Sequence, residues 1–213
     1  MKTPYTHVIW DFNGTILDDI DLGIRCVNVM LEKRGLPVIP DREYYRTIMR
    51  FPIIDYYRDL GFDFEKEDYY TKLAPEWVEM YMAGEAECPM MPHVQATLEA
   101  VKARGIPQIL LSASDRTQLI YQLERLGIAH YFDEILGLDN IFAKSKTGLA
   151  QGWLERHPGA RPLCLGDTDH DAALADTIGA DCLLYVGGHQ SETRLSGCEK
   201  PMIHDVAELL AYL

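Results

Sequence analysis

Two apolar runs in this sequence stop at an aspartate. Val8-Ile9-Trp10 ends at Asp11, and Leu163-Cys164-Leu165 ends at Gly166-Asp167, with Thr168, His170 and Asp171 just beyond. A third run, Ile109-Leu110-Leu111, ends at Ser112-Ala113-Ser114, and Lys146 opens an amphipathic stretch through Leu149, Trp153 and Leu154. If the runs are strands of an open α/β sheet, ligands bind beyond their carboxyl ends. Carboxylates, hydroxyls and an ammonium then gather on one rim. Carboxylates suit a hard cation such as Mg²⁺, which takes oxygen ligands at about 2.0–2.1 Å. The ammonium and hydroxyl suit phosphate oxygens, and an aspartate can attack phosphorus to form an aspartyl-phosphate. Catalysis of that kind rests on position and charge neutralisation. Singly, each residue has a plainer use: a strand-end aspartate caps a helix, and a lysine sits on a solvated face. The combination is what points to phosphoryl transfer.

The elements that must position these residues can be read from periodicity. Strands are expected over 8–10, 108–111, 134–136, 162–165, 182–186 and 202–203. Helices are expected over 19–34, 41–49, 53–60, 65–82, 93–104, 115–126, 146–157, 169–178 and 206–213. In the first helix Asp18 or Asp19 is the candidate cap, and Gly35 with Pro37 ends it. Strand and helix alternate from residue 93 onward, which implies a Rossmann-like parallel sheet with helices on both faces. The stretch between the first two strands has no strand pattern and reads as an inserted all-helical cap. The expected division is 1–17 with 86–213 for the α/β core and 18–85 for the cap.

Length and charge bound the class. With 213 residues the chain can bury a core without disulfides, and its five cysteines include no C-x-x-C pair, so they read as reduced thiols of a cytoplasmic protein. No secretory signal or membrane-spanning run is visible. The net charge of −13 repels nucleic acid and anionic lipid in bulk, so neither is expected as a partner. An anionic substrate therefore needs a local positive site or a bound metal. Walker A, G-x-G-x-x-G, G-x-S-x-G and H-E-x-x-H patterns are absent, and the histidines and cysteines lack zinc-ligand spacing.

Four motifs, in order, resemble those of the haloacid dehalogenase superfamily of phosphohydrolases: Asp11-Phe12-Asn13-Gly14-Thr15, Ser112 closing an apolar strand, Lys146 opening a helix, and Gly166-Asp167-Thr168-Asp169-His170-Asp171. The resemblance covers essentially the whole chain, and the helical block is similar to the cap of the phosphoglycolate-phosphatase-like branch. It implies Asp11 as nucleophile. It implies Asp11, the backbone carbonyl of Asn13, and Asp167 as Mg²⁺ ligands, with Asp171 supporting directly or through water. Ser112 and Lys146 would grip the phosphoryl group, with Gly14, Thr15 and Ala113 lining it; Lys144 is the competing lysine. The implied function is hydrolysis of a small phosphorylated metabolite, with no indication of oligomeric state.

Asn13 departs from the family pattern, which has an aspartate there as general acid and base. An amide cannot exchange a proton at neutral pH, and losing such a group costs about 10²–10⁴-fold. Four readings stay open: His170 substitutes, because it titrates near neutrality; the leaving group needs little protonation; the protein is a phosphate-ligand-binding or regulatory protein with little turnover; or the position is engineered or deamidated. Among the cap arginines Arg42, Arg46, Arg50 and Arg58, Arg50 is the candidate for substrate selection, since it precedes the Phe51-Pro52 break. Tyr69, Leu73, Trp77 and Tyr81 form an i, i+4 stripe expected to be the cap's own core. Gly187-Gly188-His189-Gln190 follows a strand on the active rim and either lines the site or is a plain loop.

Overall fold

The computed structural model describes residues 5–138 and 146–213. Chain order begins with β1 (His7–Trp10), followed by four helices: α1 (Ile20–Lys33), α2 (Arg42–Ile48), α3 (Ile53–Asp59) and α4 (Ala74–Gly84). Then come α5 (Val94–Ala103), β2 (Gln108–Asp115), α6 (Arg116–Arg125), β3 (Glu134–Leu138) and α7 (Lys146–Arg156). The chain closes with β4 (Pro162–Gly166), α8 (Asp169–Ile178), β5 (Asp181–Tyr185), α9 (Glu192–Ser196) and β6 (Met202–Ile203). The strands pair in the order β3-β2-β1-β4-β5-β6, all parallel. This is a Rossmann-like α/β fold, and strand order reverses between β1 and β4, where such sheets bind ligands.

Alternation along the strands sorts side chains onto the two faces. Val8, Trp10, Leu110, Leu163, Leu165 and Leu183 join one apolar cluster. Ile9, Ile109, Leu111, Cys164, Cys182 and Leu184 join the other, with Ala150 and Trp153 of α7 and Leu174 and Ala175 of α8. The first cluster runs on without a break into Ile24, Val27, Met30 and Leu31 of α1 and Leu73 below α4, so the helical block shares its core with the sheet. All five cysteines are free thiols. Among the described residues no helix is long and apolar enough to cross a membrane.

Two expectations need correction, and one element was not expected. The helix read over 65–82 is instead a π-helical turn, Tyr69–Leu73, followed by α4, whose first turn contains Pro75. Proline lacks the N–H that would continue the preceding turn, and it is tolerated only in a first turn. The final segment forms a 3₁₀ helix, Val206–Ala211, opened by Asp205. The short α9 was not visible from periodicity, having one buried residue, Leu195.

Where the chain leaves the helical block, Glu85 is 3% exposed. Its Oε2 accepts from Gln122 Nε2 of α6 at 2.6 Å, while Oε1 and the Gln122 Oε1 have no partner. Both orphan atoms are acceptors, so a proton is what the pair lacks. Burial pushes the Glu85 carboxyl up to about 7, with Arg125 opposing and Asp19 adding to it. A carboxyl raised on folding contributes stability that is complete below its unfolded value and is lost as pH rises through the folded one. Stability should therefore decline between about pH 4.5 and 7. Glu85→Gln supplies the donor without the charge. It is expected to raise stability at pH 8 by on the order of 1–3 kcal/mol and flatten that decline, as read by urea unfolding at several pH values. An unchanged slope would mean Glu85 is ionised in the fold.

Candidate active site

Asp11 and Asp167 leave the neighbouring strands β1 and β4 at the point of reversal, and Asp171 projects from the first turn of α8. Oxygens of these three carboxylates lie within 4.8 Å of one another. Lys146, buried at the start of α7, donates to Asp11 Oδ1 and, at 2.5 Å, to Asp171 Oδ1. Asp171 Oδ2 is held by Asp167 N at 3.2 Å, Thr168 N at 3.1 Å and Thr168 Oγ1 at 2.7 Å. Asp167 accepts from Thr15 Oγ1 at 3.2 Å and from the His189 backbone N–H at 2.6 Å.

Glycines let these groups come this close. A Cβ at Gly14 or Gly188 would overlap the Asp167 carboxylate, and one at Gly166 would overlap that of Asp171. Gly14 also has φ +74°, a left-handed conformation that disfavours any side chain.

The charge balance of this cradle fits a divalent cation. Three carboxylates face one ammonium in a largely buried cradle, leaving a surplus of negative charge. Burial pushes the Asp11 carboxyl up to about 8; Lys146 opposes this, and the charges of Asp171 and Asp167 add to it. Asp167 is raised to about 6, again by burial first. Burial would lower the Lys146 ammonium, but Asp11 and Asp171 outweigh it and keep the lysine protonated. Burial also works against the Asp171 carboxylate, and Lys146 outweighs it, holding Asp171 below the usual range. An all-oxygen donor set of this kind matches a hard cation such as Mg²⁺.

The second rim group is the serine pair. Ser112 is buried at an irregularity in the β2–β3 register, and Ser114 N donates to its Oγ at 3.1 Å. Ser112 Oγ in turn donates to Ser114 Oγ at 3.0 Å. Ala113 between them is exposed. The backbone N–H groups of Gly14 and Thr15 are engaged within their own loop, to Leu17 O at 2.9 Å and Phe12 O at 3.3 Å.

Asn13 is committed at both ends of its amide. Nδ2 donates to Asp19 Oδ2 at 2.9 Å and to Tyr81 Oη at 2.8 Å, while Oδ1 accepts from Ser114 Oγ at 3.2 Å. The histidine tied into this network is His189, whose Nε2 lies 3.2 Å from Asp19 Oδ1 and whose Nδ1 lies 2.9 Å from Tyr45 Oη. Burial opposes protonation of His189, but Asp19 outweighs it and raises the ring to about 9. His170 stacks on Phe51 with ring centroids 5.1 Å apart, and burial lowers its pKa.

The helical block reaches the rim through several contacts. Arg46 donates to the carbonyls of Gly187 and, at 2.8 Å, Gly188, and Gln190 Nε2 donates to Met49 O at 3.4 Å. Arg50 is ion-paired with Asp59 at 2.8 Å, on a loop whose neighbours Met49 and Phe51 both touch the rim. Arg42 pairs with Asp18 and Asp21, and Arg58 pairs with Asp55. Lys144 lies outside the described residues. Sequence reasoning missed Asp19 and Tyr81 as site residues. Tyr81 closes the aromatic stripe expected to be internal core, and its hydroxyl points out of that core into the rim.

The chain is similar to proteins already known. The sequence profile described as "Haloacid dehalogenase-like hydrolase" matches residues 8–185. A phosphoglycolate phosphatase of Yersinia pseudotuberculosis is 26% identical over 191 residues, covering 85% of this chain and 81% of the relative. A haloacid dehalogenase-like hydrolase from Streptococcus pneumoniae, SP0104, superposes with a TM-score of 0.82 at 22% identity over 98% of both chains. The Mycobacterium tuberculosis Protein Tyrosine Kinase A superposes at 0.80 with 18% identity, covering 100% of this chain and 99% of that one. A kinase on the same scaffold means that the fold alone does not select a reaction. The profile match spans most of the chain, and Asp11, Asp167, Asp171 and Lys146 meet in one cradle; the chain belongs to the haloacid dehalogenase-like hydrolases.

Proposed function

We propose that the protein is a Mg²⁺-dependent phosphatase that hydrolyses a small phosphorylated metabolite through an aspartyl-phosphate on Asp11. The observation that carries this is the buried meeting of Asp11, Asp167, Asp171 and Lys146 at the sheet's reversal point. Asp11 attacks phosphorus in line with the leaving oxygen, and water then cleaves the acyl phosphate. Lys146 and Ser112 hold equatorial phosphoryl oxygens, and Ser112 is kept in place by the Ser114 N–H. Asp11, the Asn13 carbonyl and Asp167 would hold the cation, with Asp171 steadying Lys146 and the Asp167–Thr168 turn. When bound, the cation neutralises charge between the nucleophile and the incoming phosphate.

Residues 18–85 serve as the cap over a core of 1–17 and 86–213. The contacts of Arg46, Met49 and Phe51 with the rim support that role. Curated relatives named phosphoglycolate phosphatase make phosphoglycolate the first substrate to test. A binding protein without turnover, the other reading of Asn13, is not favoured by membership of a hydrolase family.

The test is phosphate release from p-nitrophenyl phosphate and phosphoglycolate, with Mg²⁺ and with EDTA. Turnover of both that EDTA abolishes is the expected result. Turnover unaffected by EDTA removes the metal, and none on any phosphomonoester removes the activity.

A further inference from the structure

Asp19 stands at the N-cap position of α1 and does not cap it. An aspartate there ordinarily accepts from the backbone N–H groups of the first turn. This one is 3% exposed and turns back onto the loop after β1. Its Oδ1 accepts from Gly14 N at 3.1 Å and faces His189 Nε2 at 3.2 Å; its Oδ2 accepts from Asn13 Nδ2 at 2.9 Å and Tyr81 Oη at 2.7 Å. Four partners use up what a carboxylate can accept.

This arrangement fixes the Asn13 amide. A carboxylate only accepts, so a flipped amide would set oxygen against oxygen. With Nδ2 spent on Asp19 and Tyr81, Oδ1 must face Ser114, whose N–H then meets Ser112 Oγ. The Ser114–Ser112 hydroxyl pair is thereby ordered from Asp19, through Asn13. An aspartate at 13 would offer no donor to either partner and would press a second carboxylate against Asp19.

We infer that Asp19 is a positioning residue that, together with Tyr81 of the helical block, locks the Asn13 amide and through it the Ser114–Ser112 pair, so that acid at 19 and amide at 13 work as one unit. In this chain residue 13 functions as an amide and is not a general acid awaiting repair. The inference rests on the proposed phosphatase reading for its catalytic consequence, while the pairing itself stands on geometry.

The experiment compares the full chain with Asn13→Asp, Asp19→Asn and the double exchange. It reads kcat and KM on p-nitrophenyl phosphate with Mg²⁺, and the thermal midpoint in EDTA. Asn13→Asp is expected to lower the midpoint by roughly 4–8 °C, as an unmatched buried pair does in a domain of this size. Asp19→Asn is expected to raise KM roughly tenfold with a smaller change in kcat, because the freed amide no longer orders Ser112. The exchange reverses which residue donates and keeps each pair matched, with Tyr81 still donating to the acid and accepting from the amide. It should recover the midpoint to within about 2 °C and KM to within about threefold. Faster turnover in Asn13→Asp alone, or losses in the exchange that simply add, overturns the inference. If the parent protein releases no phosphate, the phosphatase reading fails, and the midpoints alone still decide whether 13 and 19 are coupled.

Discussion

Asp11→Asn is expected to lower phosphate release from p-nitrophenyl phosphate by at least about 10⁴-fold, with Mg²⁺ saturating. Nitrophenolate leaves without help from an acid, so this substrate isolates attack on phosphorus from protonation of the leaving group. An amide cannot form the acyl phosphate, yet it keeps an acceptor for Lys146 and removes one of three crowded negative charges. The fold is therefore expected to survive with a thermal midpoint no lower than the parent's in EDTA. Trapping of phosphate on the parent chain, and none on the variant, by intact-mass measurement after acid quench would complete the assignment. Metal-dependent turnover persisting in a folded Asp11→Asn protein would transfer the nucleophile's role elsewhere.

Lys146→Met carries the second large effect, on stability as well as on rate. Lys146 is 7% exposed and is the cation that pairs with both Asp11 and Asp171. Removing one partner of a buried ionic cluster costs about 3–5 kcal/mol, because the remaining charges are left uncompensated. In EDTA the midpoint should fall by roughly 6–20 °C for a domain of this length. Mg²⁺ should return part of that loss, since a cation bound only by the folded state stabilises it by mass action. Turnover should be lost as well, because an equatorial phosphoryl oxygen loses its ammonium. A midpoint in EDTA within 1–2 °C of the parent, on the order of 0.5 kcal/mol, would mean that Lys146 does not hold the carboxylates together.

The parts of the site that were legible in sequence are those whose position follows from a strand ending. Val8-Ile9-Trp10 and Leu163-Cys164-Leu165 are apolar because both faces of their strands are buried, so Asp11 and Asp167 announce themselves as the first polar residues past the edge. Lys146 was readable because a helix opens there. Asp19 was not, since its spacing fits an N-cap and nothing local tells that its side chain will turn backward. Tyr81 carried the periodicity of a core residue, and only its hydroxyl differs from a phenylalanine in the same place. His189 meets Asp19 across 170 positions, a distance that no window of the sequence spans. The π turn before α4 was hidden because Pro75 breaks the hydrogen-bond pattern without disturbing the apolar one. Complementary donors and acceptors brought together by tertiary packing have no period, and periodicity was the signal being read.

The central place of β1 has a consequence for how the protein comes to exist in a cell. Its two sheet neighbours, β2 and β4, begin at residues 108 and 162, so the strand that ends at Asp11 is made before both and must wait for them. At about 5–20 residues per second, the ribosome needs roughly 8–30 s to supply β4 after β1 has emerged. Until β2 is made the apolar strand has an unpaired edge on each side, and from then until β4 arrives it still has one, so the nascent chain is a client for whatever holds such segments apart. Only when β4 arrives do Asp11 and Asp167 share a site, so the carboxylates are never crowded together in a half-made molecule.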